Sequence, residues 1–236
     1  MFIQNKKRRS RKIDQSHIVI VMAKQHPFID VSDKQNNSLI PTEWKVNEYL
    51  LILQPHEDLY NKIVDIKQAF AKQFDCKMAM YLKPHLTLTV FVQYAMMESK
   101  IIHRLQNIAA QQSSFKIDLN GFGSFPSHTI YINVQTKNPI IDLIKELKQA
   151  QSLLKLNAEH KPHFITEPHI SVARKLLPRQ YEKAWIEFQQ KNFTASFMAN
   201  EMILLRRNEQ QKAYQLIKKF PLLHQAKQVQ QTTLFV

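Results

Sequence analysis

Lys83-Pro84-His85-Leu86-Thr87-Leu88 and Glu167-Pro168-His169-Ile170-Ser171-Val172 share one pattern: proline, histidine, an apolar residue, a hydroxyl, an apolar residue. In an extended strand, residues i and i+2 face the same way. His85 and Thr87 therefore point to one side while Leu86 and Leu88 point into a core, and His169 and Ser171 likewise oppose Ile170 and Val172. Each half of the chain presents one imidazole beside one hydroxyl. A single His-x-Thr carries little weight, because strand histidines are common. Two copies, each after a proline and each in an apolar strand, point to shared chemistry across a cleft.

A quartet of two imidazoles and two hydroxyls suits a phosphodiester. A neutral imidazole can take a proton from an attacking hydroxyl or water, while a protonated partner gives one to the leaving oxygen. Histidine holds either state near neutrality. The hydroxyls of Thr87 and Ser171 can donate to the nonbridging oxygens as charge builds on them. The scheme calls for no cofactor, neither a metal nor ATP.

Around the motifs, strands and helices alternate in two comparable halves. Glu48–Gln54 is a short apolar run that reads as a buried strand, and Leu59, Ile63, Ile66 and Phe70 follow at helical spacing. Strand character returns over 84–94, then a helical stretch carries Ile101, Leu105 and Ile108. Phe115–Leu119 and Thr129–Val134 read as strands flanking a turn at Gly121-Phe122-Gly123-Ser124-Phe125-Pro126. In the second half, Pro139 suits the first turn of a helix carrying Ile140, Leu143, Ile144 and Leu147. His169–Ala173 reads as a strand, and Pro178 opens a helix with Tyr181, Ala184, Trp185 and Phe188 on one face. Two last strands are expected near 196–205 and 213–219, with Arg206 and Arg207 in a solvated hairpin turn.

Residues 41–236 thus read as a single α+β domain of two lobes. Residues 1–40 read as a basic, disordered extension, with Lys6, Lys7, Arg8, Arg9, Arg11 and Lys12 in one run. The apolar stretch 18–23 is too short for an export core or a membrane span. Translation from Met22, rather than Met1, is the alternative account of the arm.

The chain of 236 residues carries a formal charge of +14, a field that attracts polyanions such as nucleic acid or simply keeps the surface solvated. Its lone cysteine, Cys76, excludes an internal disulfide and suits a reducing cytoplasm. Only Gly121 and Gly123 are glycines, so neither a Walker loop nor a dinucleotide fingerprint can be built. Side chains must supply most contacts to any phosphate.

The paired motifs resemble those of the 2H phosphoesterase superfamily, in particular its 2′-5′ RNA ligase and RNA 2′,3′-cyclic phosphodiesterase branch. The resemblance covers roughly 45–222. Its further support is Phe122-Gly123-Ser124-Phe125-Pro126 with Ile130–Val134, the run from Pro168 to Arg174, Tyr214, and Phe220-Pro221-Leu222. It implies a bilobal fold of two pseudo-symmetric antiparallel sheet lobes with flanking helices and a central cleft. It further implies an enzyme acting on RNA or a cyclic nucleotide phosphate by hydrolysis or reversible ligation; no obligate protein partner is evident in the sequence, and a monomer is expected. His85 and His169 would be the acid–base pair, with His169 the base in hydrolysis and His85 the acid. Thr87 and Ser171 would bind phosphate, with Arg174 a cation nearby. The sequence departs from the family where Thr89-Val90-Phe91-Val92-Gln93 lacks a Phe-Leu-Gly continuation, and where Phe164 stands further upstream than the usual aromatic.

Further substrate contacts are expected from Lys83 on the backbone and from Tyr131 and Phe125 stacking on a base, although both rings also suit a core. The main rival is a non-catalytic RNA-binding module of the same fold. A metal site built on His160, His163, His128 or Cys76 matches no standard zinc spacing, and Pro162 and Pro168 disturb any helical arrangement.

Overall fold

The computed structural model describes residues 42–224 apart from Leu82, Glu209 and Lys212. The basic extension expected at 1–40 lies outside the described residues. All strand pairings are antiparallel and belong to one sheet, ordered β7-β3-β4-β6-β2-β1-β8-β9. The strands are β1 (Val46–Leu53), β2 (Leu86–Tyr94), β3 (Phe115–Phe125), β4 (Thr129–Val134), β5 (His163–Phe164), β6 (His169–Ala173), β7 (Thr194–Ala199), β8 (Glu201–Arg207) and β9 (Gln215–Pro221).

The sheet has a natural seam. β2 and β6 are its two middle strands, and one bridge, Leu86 to Ile170, joins them. β5 takes the rest of that edge of β2, at Thr89 and Val90. On one side of the seam stand β2, β1, β8 and β9; on the other stand β6, β4, β3 and β7. Each side repeats a pattern. β1 reaches β2 through helix α1 (Glu57–Gln73), as β4 reaches β6 by way of helices α4 (Asn138–Lys148) and α5 (Gln151–Leu154). This is the bilobal α+β architecture that the sequence implies.

Helices cover one face of the curled sheet. Leu59, Ile63 and Phe70 of α1 bury in the same core as Ile101, Leu105 and Ile108 of α3 (Glu98–Ala110). Ile140, Leu143, Ile144 and Leu147 of α4, and Ala184 and Phe188 of α6 (Pro178–Phe188), join them. Each such side chain contributes about 1.5–3 kcal/mol on burial, enough to fix which face of each helix docks. Short α2 (Met78–Tyr81) bridges α1 to the first motif. The opposite face of the first lobe carries a small cluster of its own, Leu50, Ile52 and Ile203 with Val90, Leu205 and Tyr214.

Three expectations change. The apolar run over 196–205 is two strands on opposite flanks of the sheet: β7 pairs with β3, and β8 pairs with β1. The chain breaks at Asn200, with neither Gly nor Pro to mark it. The Gly-Phe-Gly stretch is strand rather than turn. Gly121 sits at a register shift with φ +63°, a left-handed bulge that favours glycine, and the turn follows at Pro126–His128. Arg206 and Arg207 end β8 in partly buried ion pairs with Glu98 and Glu48, not in a solvated turn.

Candidate active site

Both motifs meet at the seam. Because Leu86 pairs with Ile170 in an antiparallel register, the neighbouring positions fall opposite each other: His85 against Ser171 and Thr87 against His169. Leu86 and Ile170 are fully buried on the core face, while His85, Thr87, His169 and Ser171 are half-buried on the other. Facing side chains in such a register stand about 5 Å apart at Cβ. The four sequence-selected groups therefore share one patch of one face, two from each lobe.

The prolines explain the poise of the rings. Proline fixes its own φ and drives the preceding residue to an extended conformation. The carbonyl two residues before each histidine is thereby turned back onto the ring. His85 Nδ1 lies 2.7 Å from the Lys83 carbonyl oxygen, and His169 Nδ1 lies 2.8 Å from that of Glu167. A carbonyl only accepts, so Nδ1 carries the hydrogen and Nε2 keeps its lone pair.

Both rings are held neutral. Loss of water around His85 lowers its pKa to about 4; Arg174, Lys67 and His169 add to the fall, and the Lys83 carbonyl opposes it. His169 is lowered too, first by the same loss of water and then by Arg174, with the Glu167 carbonyl and carboxylate working the other way.

Cations frame it. Arg174 follows β6, is exposed, and among the described residues has no hydrogen-bond or ion-pair partner. Lys67 of α1 is buried behind the sheet, where its Nζ donates to the carbonyls of Ser171 and Val172 at 2.6 and 3.2 Å. Glu48 accepts from Arg207 Nε at 3.0 Å and from the Tyr214 hydroxyl at 2.7 Å, with the guanidinium 4.8 Å over the Tyr214 ring. Lys83 is exposed; the contact shown is its carbonyl on His85.

The second lobe adds an aromatic wall. Phe125 and Tyr131 lie 4.7 Å apart, and each ring centroid is 5.0 Å from that of His169. Tyr131 is in register with Ser171, and Asn133 with His169. Gly123 makes room for this wall: a Cβ there would come within 2.6 Å of the Tyr131 ring and would strike Asn133. Both aromatic residues are half-buried. Of the metal-site candidates, Cys76 is buried, and His160 Nδ1 is bonded to Asn157. Among the described residues no group of three or more His, Cys, Asp or Glu is placed to hold a metal ion.

Sequence reasoning missed Lys67, Glu48 and Asn133, and placed Arg207 in a solvated turn rather than on Glu48. Lys67 had a signal, a lysine at helical spacing between Ile63 and Phe70; the others required the register.

The model of the 2′-5′ RNA ligase superfamily matches residues 55–211, which take in both motifs. The chain belongs to that superfamily. Among curated proteins, it is 28% identical over 131 residues to a Geobacillus kaustophilus protein and 24% identical over 132 residues to one from Bacillus licheniformis, both provisionally named phosphoesterases. The matches take in 54% and 55% of this chain and 72% of each relative. The superfamily fold recurs in a Thermus thermophilus protein, with TM-score 0.57 and 16% identity over 76% of this chain and all of that one. It recurs also in Escherichia coli LigT, crystallised with 3′-AMP, with TM-score 0.56 and 16% identity over 75% of this chain and 99% of LigT. Superfamily membership makes the protein a phosphoesterase-type enzyme.

Proposed function

We propose that this phosphoesterase opens 2′,3′-cyclic phosphates at RNA ends, or makes and breaks 2′-5′ linkages there, by two-histidine acid–base chemistry that needs neither metal nor ATP. The observation that carries the reading is the matched pair of imidazoles across the seam, each with Nδ1–H on a carbonyl and Nε2 free to move a proton. Thr87 and Ser171 donate to the nonbridging oxygens, and Arg174 balances their charge. Phe125 and Tyr131 offer a stacking surface for a base, and Lys83 a charge for the backbone. LigT, which shares the fold, is complexed with 3′-AMP, a nucleotide whose phosphate sits where opening of a cyclic phosphate can leave it.

The electrostatics favours an assignment opposite to the one the resemblance suggests. Beyond the loss of water that both rings suffer, Arg174, Lys67 and His169 act against a charge on His85, whereas His169 has Arg174 against it and the Glu167 carboxylate for it, so we assign the single proton of the coupled pair to His169. In hydrolysis, His85 then takes a proton from water as the water oxygen bonds to phosphorus. The bond from phosphorus to the 2′- or 3′-oxygen breaks, and His169 gives that oxygen its proton. Proton exchange with solvent resets the pair, and the roles swap in ligation. With a single cysteine, buried and unpaired, a reducing cytoplasm is the compartment proposed, and a monomer the working unit.

Incubation with nucleoside 2′,3′-cyclic phosphate in EDTA tests the reading. Wild type turns over, while His85→Ala and His169→Ala each lose about 10²–10⁴-fold in kcat with folding intact. RNA binding without turnover of cyclic, linear or 2′-5′ substrates would make the protein a binding module instead.

A further inference from the structure

Lys67 stands where the helix wants an apolar residue. It lies between Ile63 and Phe70 on the core face of α1, is 2% exposed, and among the described residues bonds carbonyls and no carboxylate. A buried ammonium without a counterion is costly, and here the loss of water, with Arg174 nearby, lowers its pKa to about 7. Methionine has similar reach and would fill the core without that cost. The placement of the charge therefore calls for a reason beyond packing.

The reason lies in what the ammonium holds. Its two acceptors are the carbonyls of Ser171, which bears one of the paired hydroxyls, and of Val172. β6 is irregular there, since the β4–β6 register shifts between Ile130 and Tyr131. This is also the stretch where the single Leu86–Ile170 bridge must fix one lobe against the other. Arg174 acts on Lys67, and Arg174, Lys67 and His169 act together on His85; the carboxylates in range, Glu167 on His169 and Glu48 on Arg174, are already held by Lys137 and by Arg207 with Tyr214. A phosphate is the ligand whose charge complements such a set.

We propose that Lys67 is a positioning residue of the phosphoryl site: from behind the sheet it holds the Ser171–Val172 backbone in register with β2 and sets a positive charge beneath His85. The inference rests on the two-histidine reading for its chemistry, and on the hydrogen bonds and burial for its geometry.

Lys67→Met and Lys67→Arg test it through three readouts: turnover of nucleoside 2′,3′-cyclic phosphate, affinity for inorganic phosphate, and the NMR titration of the His85 ring. In Lys67→Met, Tm at pH 7 holds or rises, kcat falls about 10- to 100-fold from misplacement of Ser171, phosphate binds more weakly, and the His85 midpoint moves up. Lys67→Arg keeps the His85 midpoint and recovers part of kcat. If Lys67→Met does not fold, Lys67→Gln, which keeps one donor but no charge, replaces it with the same expectations. A fall in Tm with kcat per folded molecule, phosphate affinity and His85 midpoint unchanged would make Lys67 a core bolt only, and overturn the inference. Absence of turnover in wild type would defeat the two-histidine reading, while phosphate affinity and the His85 midpoint would still decide on Lys67.

Discussion

Loss of water and Arg174 lower the pKa of both histidines, but on the first lobe Lys67 adds to the fall at His85, whereas on the second His169 stands against Phe125 and Tyr131 with the Glu167 carboxylate opposing the fall. The tethers are the same: an X-Pro-His turn and a carbonyl on Nδ1. Twofold repetition thus places the two rings, and in the proposed mechanism it is their unequal surroundings that divide the work between them. A symmetrical pair would share one proton evenly; the proposed assignment rests on the unequal charges around the two rings.

The strongest way to break this comparison is to remove the need for an acid. A phosphodiester with a nitrophenyl leaving group departs without protonation. On that substrate His169→Ala should regain most of its loss of about 10²–10⁴-fold, and His85→Ala should regain little. Rescue of His85→Ala instead would restore the assignment with His85 as acid. Equal rescue of both would mean that the surroundings do not divide the roles.

Gly123→Ala probes the aromatic wall alone. The added methyl meets the Tyr131 ring and Asn133, so the ring must tilt and the packing on His169 must open. A displacement of that size can cost about 10²-fold in rate, and kcat should fall with little change in the His85 ring titration. An unchanged kcat would mean that the wall is not what holds His169. Gly121→Ala, strained by its positive φ, should lower Tm more than it lowers kcat.

The pH dependence follows from the lowered pKa values. In the free enzyme one ring must be neutral and the other protonated, so kcat/KM is bell-shaped with both limbs below the ordinary histidine value of about 6.5. Its optimum is expected on the acid side of neutrality. A bound phosphate raises both pKa values, so the optimum for kcat should lie higher. For stability the sign is separate. His85 binds its proton less readily when folded, so its contribution is complete above about 6.5 and is lost as pH falls toward its folded value of about 4. His85→Gln should flatten that part of a Tm-against-pH curve.

How far the sequence reached depends on the range of the forces involved. β2, β6, α1, α4 and α6 were legible because local periodicity and prolines set them. The quartet was legible because period 2 alone puts His85 with Thr87 and His169 with Ser171. The seam was not, since nothing local tells β2 to meet β6 at Leu86 and Ile170. The split at Asn200 was hidden in an unbroken apolar run, because β7 and β8 are both half-buried strands and only their distant partners differ. Arg206 and Arg207 read as solvated because Glu98 and Glu48, which hold them, are far away in sequence.

The smallest expected effect concerns the first lobe's own polar network. Glu48 is a carboxylate that acts on Arg174, and it is occupied by Arg207 and Tyr214. Glu48→Gln keeps the shape and removes one negative charge within reach of Arg174, which feels Glu48, Arg207 and Tyr214. If the network only shapes the field, an anionic substrate should bind better. At an effective dielectric near that of water, one charge at about 4 Å is worth about 1 kcal/mol, and less further away, so KM should fall about two- to fourfold. Salt should erase the gain, because the Debye length is about 8 Å at physiological ionic strength. Arg207, freed of its partner, should lower Tm by a few degrees through the partly buried ion pair it loses. A rise in KM that persists in high salt would say instead that Glu48 or Tyr214 touches the substrate, and the first lobe would then share in recognition as the aromatic wall does on the second.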